Sequence, residues 1–146
     1  MGKILNKNKK ANFNYTIVEK FTSGIVLSGS EVKSIKNLKL NMDEAYCYIS
    51  NGEIFIKNMH ISPHETGGKF NNHEPLRERK LLLNKKEIRY LSETVGKLRM
   101  TIIPLSIFLT NTGFIKMEIA LAKGKKDYDK RNSLKLKEAK KTLKNV

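Results

Sequence analysis

The apolar residues of this 146-residue chain come mostly in short runs of β-branched and aromatic side chains broken by turn residues. That pattern restricts the fold to small antiparallel β architectures. The clearest case is the pair AYCYIS (45–50) and EIFIKNMHI (53–61), separated by Asn51-Gly52. Both turn residues tolerate positive φ, which makes Asn-Gly between two β-type runs the strongest short-range hairpin signal. MTIIPLSIFLT (100–110) and FIKMEIALA (114–122) read as a second pair joined at Asn111-Thr112-Gly113. Pro104 lacks an N–H, so it predicts an edge or a bulge in the first of these strands. FNYTIV (13–18) and GIVL (24–27) complete six strand-like runs.

Two segments depart from the β pattern. In SEVKSIKN (30–37), Val32 and Ile35 lie three apart behind an acid, which predicts a short helix. Asn84 with Glu87 three residues on reads as a capping box. Ile88, Leu91, Val95 and Leu98 then mark one face of a helix. Residues 62–79 hold Pro63, Pro75 and Gly67-Gly68 and read as a long loop. The expected fold is mainly β, a small antiparallel barrel or sandwich with one clear and one short helix. A small barrel with basic loops is a familiar oligonucleotide-binding architecture.

Charge divides the chain differently. Residues 11–122 carry fifteen Lys/Arg against eleven Asp/Glu. The first ten residues add four lysines and no acid, and residues 123–146 hold ten bases against three acids. Most of the net +15 therefore sits at the two ends. The expected organisation is a basic N-terminal arm (1–10), a barrel (11–122) and a basic C-terminal tail (123–146). A near-neutral body with basic extensions suits a polyanionic partner. In the tail, Leu136, Ala139 and Leu143 fall on one helical face, with Asn132 or Ser133 placed to cap it. Three modest apolar residues do not offset the entropy of ordering so charged a segment. The tail is therefore expected to be disordered alone and helical when its charge is neutralised.

The residues argue against catalysis. His60 and His64 are four apart, but Pro63 between them removes a shared helical face, so no metal site is expected. Gly124-Lys125-Lys126 lacks the preceding glycine of a phosphate-cradling loop. Asp127 and Asp129 lie among lysines that hold both ionised. Tyr128, in GKKDYDKR, is placed either to pack on the barrel or to stack on a nucleobase, with Lys125, Lys126, Lys130 and Arg131 beside phosphates. No cofactor is expected. Cys47 stands alone, in keeping with a reducing compartment, and no apolar run approaches a membrane span. The expectation is a cytoplasmic protein. From charge and fold alone, a general RNA-binding barrel of the translation apparatus fits.

Five segments together are more specific. NKKANFNY (8–15), SGIVLSGSEVKSIK (23–36), NMHISP (58–63), PLRERKLLLNKKEI (75–88) and GKKDYDKR (124–131) resemble the small protein B family, the bacterial SsrA-binding proteins of trans-translation. The resemblance runs from about Asn8 to Leu136. It implies a mainly β fold, an OB-fold-like antiparallel barrel of about six strands with two or three flanking helices, that holds the tRNA-like domain of tmRNA and delivers it to stalled ribosomes. It also implies a tail that occupies the small-subunit decoding centre and the empty mRNA channel. Elongation factor Tu and alanyl-tRNA synthetase are implied as indirect partners.

Leu82 and Asn84 match family positions used in tmRNA binding, and Arg79 and Lys80 just before them are placed as phosphate partners. Glu31 and Lys33, and Asn58 with His60, fall in family blocks where contact with RNA and bracing of the barrel are both open. Gly124, Lys125, Lys126, Tyr128, Asp129, Lys130 and Arg131 match the decoding-site segment of the tail. There Tyr128 takes the place of a ring that stacks on a ribosomal RNA base. Thr22 stands where many members carry an acid, and the tail is short for the family.

Overall fold

In a computed structural model of the chain, residues 2–63 and 72–125 are described. The strands are β1 (Lys3–Lys7), β2 (Tyr15–Ile25), β3 (Leu40–Asn41), β4 (Tyr46–Ser50), β5 (Glu53–Lys57), β6 (His60–Ile61), β7 (Arg79–Leu82), β8 (Thr101–Leu109) and β9 (Ile115–Gly124). The helices are α1 (Ala11–Asn14), α2 (Gly29–Lys36) and α3 (Lys85–Leu98).

Six strands close into an antiparallel ring in the order β8-β4-β5-β7-β2-β9, because β8 also pairs with β9. The expected barrel is present, with a membership partly different from the expected one. Residues 13–18 and 24–27 are not two strands. Tyr15–Ile25 is one continuous strand along β9, with a register shift between Ile17 and Glu19 that leaves Val18 exposed. The sixth place in the ring belongs to β7, of which Arg79 was read as the end of a loop and residues 80–82 were assigned to no element.

Local chemistry explains the joints. Asn51 (φ 52°) and Gly52 (φ 75°) both adopt the left-handed conformation that the β4–β5 turn requires. Asn58 (φ 63°) ends β5, so the run 53–61 splits and β6 pairs with β3 in a separate two-stranded sheet. Pro104 does sit at a bulge: the β8–β9 register shifts between Pro104 and Ser106. Capping boxes start α2 (Ser28 with Glu31) and α3 (Asn84 with Glu87).

The barrel encloses Ile54, Ile56, Leu81, Ile102, Ile107, Met117, Ile119 and Leu121. Ile35 from α2, Leu91 from α3, and Met42, Met59 and Ile61 join the same core. A smaller core of Ala11, Ile103 and Ala122 lies beneath α1. Truncating one of the large buried aliphatic residues to Ala costs about 2–5 kcal/mol. The first ten residues, expected as an arm, supply β1, whose Leu5 is buried and which pairs with the second half of β8. Lys3 and Lys7 stand in water, while Leu5, at the register shift between Ile4 and Asn6, is buried.

Candidate RNA-binding surface

β7 organises the surface that holds Lys80, Leu82 and Asn84, three of the seven expected tmRNA contacts. Its alternation turns Arg79 and Leu81 inward and Lys80 and Leu82 outward. Leu82 is 52% exposed, an apolar side chain held in solvent by strand register. Across the pair it faces Gly24, where an added Cβ would stand 3.2 Å from the Leu82 Cβ. The glycine therefore gives Leu82 room against β2. Lys80 reaches Glu53 at 3.2 Å and is half-buried. Just beyond β7, Asn84 accepts the Glu87 N–H at 2.8 Å through Oδ1 and so fixes the start of α3. A groove of about 760 Å³ runs between β7, the β4–β5 turn and α3. Lys80, Leu82, Lys85 and Arg89 line it, with Leu83 and Ile88 adding apolar surface. Lys85 and Arg89 were not among the expected contacts. Their signal was the capping box, which puts them one turn apart at the start of α3.

Arg79 is different. It is fully buried, and its guanidinium donates to Glu31 Oε2 (2.5 Å), the Met59 carbonyl (2.6 Å) and the Pro75 carbonyl (3.1 Å). The expectation of Arg79 as a phosphate partner is corrected: its donors are turned inward and committed to protein acceptors. Glu31, also fully buried, accepts from Arg77 (2.5 Å) and from the Ser28 N–H (2.9 Å). Burial alone would raise the Glu31 pKa. Hydrogen bonds from Arg77, Ser28 and Arg79, with the Arg79 charge, overcome this and hold it down at about 2. Glu31 therefore braces α2 against β7 and the segment leading into it.

The remaining expected contacts fall into two groups. Lys33 on α2, Asn58 and His60 on β6 are exposed and lie away from the groove residues in the chain, on and beside elements that pack together. His73 bridges Ser30 Oγ and the Ile61 carbonyl, each at 2.8 Å. Among the described residues no group of His, Cys, Asp or Glu is arranged to hold a metal ion. Cys47 is buried, and burial raises its thiol pKa. Thr22 is exposed on β2, directly across from Glu118 on β9. In the tail segment, Gly124 ends β9. Lys125 donates its N–H to the Asn14 carbonyl (2.9 Å) and its Nζ to the Asn12 carbonyl (2.7 Å). Lys126, Tyr128, Asp129, Lys130 and Arg131 lie outside the described residues.

A family model described as SmpB protein matches residues 5–146. The chain belongs to the SmpB family. Among curated proteins, an SsrA-binding protein of Bacillus cytotoxicus is 49% identical over 142 residues, covering 97% of this chain and 90% of that one. An SsrA-binding protein of Listeria welshimeri is 48% identical over 142 residues, covering 97% and 91%. A solved structure described as "tmRNA-SmpB: a journey to the center of the bacterial ribosome" superposes with a TM-score of 0.69 at 37% identity. It covers 84% of this chain and 85% of its own. In this SmpB family member the ring of six strands and the three helices of the described residues thus form a related body.

Proposed function

We propose that this protein is an RNA-binding adaptor that holds the tRNA-like domain of tmRNA and brings it to stalled ribosomes for trans-translation. The observation that carries this reading is the 49% identity to an SsrA-binding protein across 97% of the chain. The barrel body is the part that holds tmRNA. Lys80, Leu82 and Asn84 form one contact region, and Lys33, Asn58 and His60 a second. An exposed leucine beside lysines suits a folded RNA read by shape and by its unstacked bases, with cations on phosphates. Residues from Gly124 onward serve the decoding centre and mRNA channel, where Tyr128 stacks on a base and Lys126, Lys130 and Arg131 meet phosphates. Elongation factor Tu and alanyl-tRNA synthetase meet the protein only through tmRNA. The protein contributes recognition and positioning, peptide transfer belongs to the ribosome, and the site of action is the cytoplasm.

A gel-shift competition between tmRNA and bulk transfer RNA at 50 and 200 mM salt tests the reading. The expected result is preferential binding of tmRNA that weakens by about 10³–10⁵ over that range, given six to ten phosphate contacts. Equal affinity for both RNAs would instead mark a general RNA-binding barrel.

A further inference from the structure

The segment from Asn8 to Asn14 crosses the outside of the β8–β9 pair at the end where the chain leaves the barrel. β1 runs along β8 as far as the pair Lys7↔Ser106, and β2 begins opposite the end of β9, at Tyr15↔Gly124. The seven residues between them form a strap. Asn8 anchors it on the Pro104 bulge, donating its N–H to the Leu105 carbonyl (2.8 Å) and its Nδ2 to the Pro104 carbonyl (2.9 Å). Its Oδ1 accepts the Lys10 N–H at 3.2 Å, which shapes the entry into α1. Ala11 is 3% exposed and packs on Ile103 and Ala122, one residue from each of the bridged strands. A larger side chain there would lift the strap away from them. At its far end the strap presents two carbonyls, Asn12 and Asn14, and both are taken by Lys125.

We propose that this strap is a positioning element that sets where, and in which direction, the C-terminal segment leaves the barrel, with Asn8 and Ala11 as its positioning residues. One backbone bond would extend the β2–β9 ladder by a step. A second bond from the same residue, to a strap separately anchored on β8, holds the exit point from two sides. A tethered segment finds its site at an effective concentration set by how its root is held, and each freed residue spreads the volume it samples. The strap thus links the RNA-holding body to the segment that works in the ribosome. This rests on the function proposed above.

The test uses the full chain, with Asn8→Asp (which keeps the acceptor to Lys10 and removes the donor to Pro104), Ala11→Leu, and a Gly-Ser-Gly-Ser insertion after Lys125. Three quantities are read: hydrogen exchange at the Lys125 amide, affinity for tmRNA, and peptide tagging on reconstituted stalled ribosomes. Both substitutions should speed Lys125 exchange by about tenfold or more. All three variants should lower tagging by about tenfold while tmRNA affinity stays within about twofold. The insertion leaves strap and barrel unaltered, so it tests whether the held root matters for tagging even where a substitution fails to fold, and whichever substitution folds tests the strap itself.

Unchanged exchange in a folded substitution variant, unchanged tagging after insertion, or tmRNA affinity falling as far as tagging would each overturn the proposal. Failure of the unaltered protein to prefer tmRNA would instead overturn the proposed function, and the exchange result would still decide whether the strap holds the root.

Discussion

The two ends of β7 invert the usual distribution of side chains. At its start, Arg79 is a fully buried cation, closed in with Glu31 beneath α2. At its end, three residues on, Leu82 is an apolar side chain half in water, beside the groove that leads to α3. The strand is too short for this to arise from a change in register. Its alternation is regular, and the residue types at the two ends are reversed. A buried charge needs a complete set of partners and therefore fixes the geometry of whatever supplies them. An exposed leucine does nothing for a barrel alone, but offers a dry contact to a docked surface. One end of β7 is thus built for the fold, and the other is the end that the proposed function gives to tmRNA.

Breaking the buried end should have the largest effect. Glu31→Ala leaves Arg79 buried without its counter-ion and should cost about 3–5 kcal/mol in urea unfolding. A double change, Glu31→Leu with Arg79→Met, should cost less than either single change to Ala, because no charge is then stranded inside. Acid should produce a related loss. Burial works against the charged form of Glu31, yet its donors lower its pKa from the ordinary 4.5 to about 2. Folding therefore favours the ionised form. The stabilisation is complete above the unfolded value near 4.5 and is lost as pH falls toward 2, by an amount on the order of 3 kcal/mol. Urea titrations at a series of acidic pH values should show this slope in the natural protein and a weaker one in Glu31→Gln.

The exposed end should respond in the opposite sense. Leu82→Ser should change stability by no more than about 0.5 kcal/mol, while tmRNA affinity falls about tenfold, close to 1.4 kcal/mol. An equal loss of stability and affinity would erase the distinction between the two ends. Asn84 stands between these cases. Asn84→Ala removes the cap and should cost about 1 kcal/mol of stability. Asn84→Asp keeps an acceptor for the Glu87 N–H and should restore that stability. If it also restores tmRNA binding, Asn84 acts by fixing α3; if binding stays low, its amide meets RNA directly.

Much of this was readable from the residues, and the failures have physical causes. Asn51-Gly52, Pro104 and the Asn84–Glu87 pair were legible because turn and cap chemistry is local. β7 was not, because RKLL is too short to display a period, and its role comes from β5 and β2 on either side. The long β2 was divided in two because its middle, Glu19 to Thr22, carries polar residues facing water while β9 continues the pairing. β1 was taken for an arm because four lysines and no acid mark the first ten residues, and only Leu5 of the strand is buried. Arg79 looked like a phosphate partner because arginine beside lysine near an RNA-binding motif suggests a surface. Only the packing of α2 brings Glu31, 48 positions away, onto its guanidinium. Leu82 and Asn84 entered as expected contacts through family resemblance alone, since nothing in a run of three leucines says which one faces out.

The closed ring leaves β1 as an outer strand, bound to β8 along one side. A second molecule aligned antiparallel along its other side, centred on Leu5, would set Lys3 of each copy against Lys7 of the other. Like charges facing each other across strands repel, and lysines on a border strand discourage such pairing. The same lysines that make the N-terminus basic therefore guard against self-association, which favours a protein that stays solitary until it meets RNA.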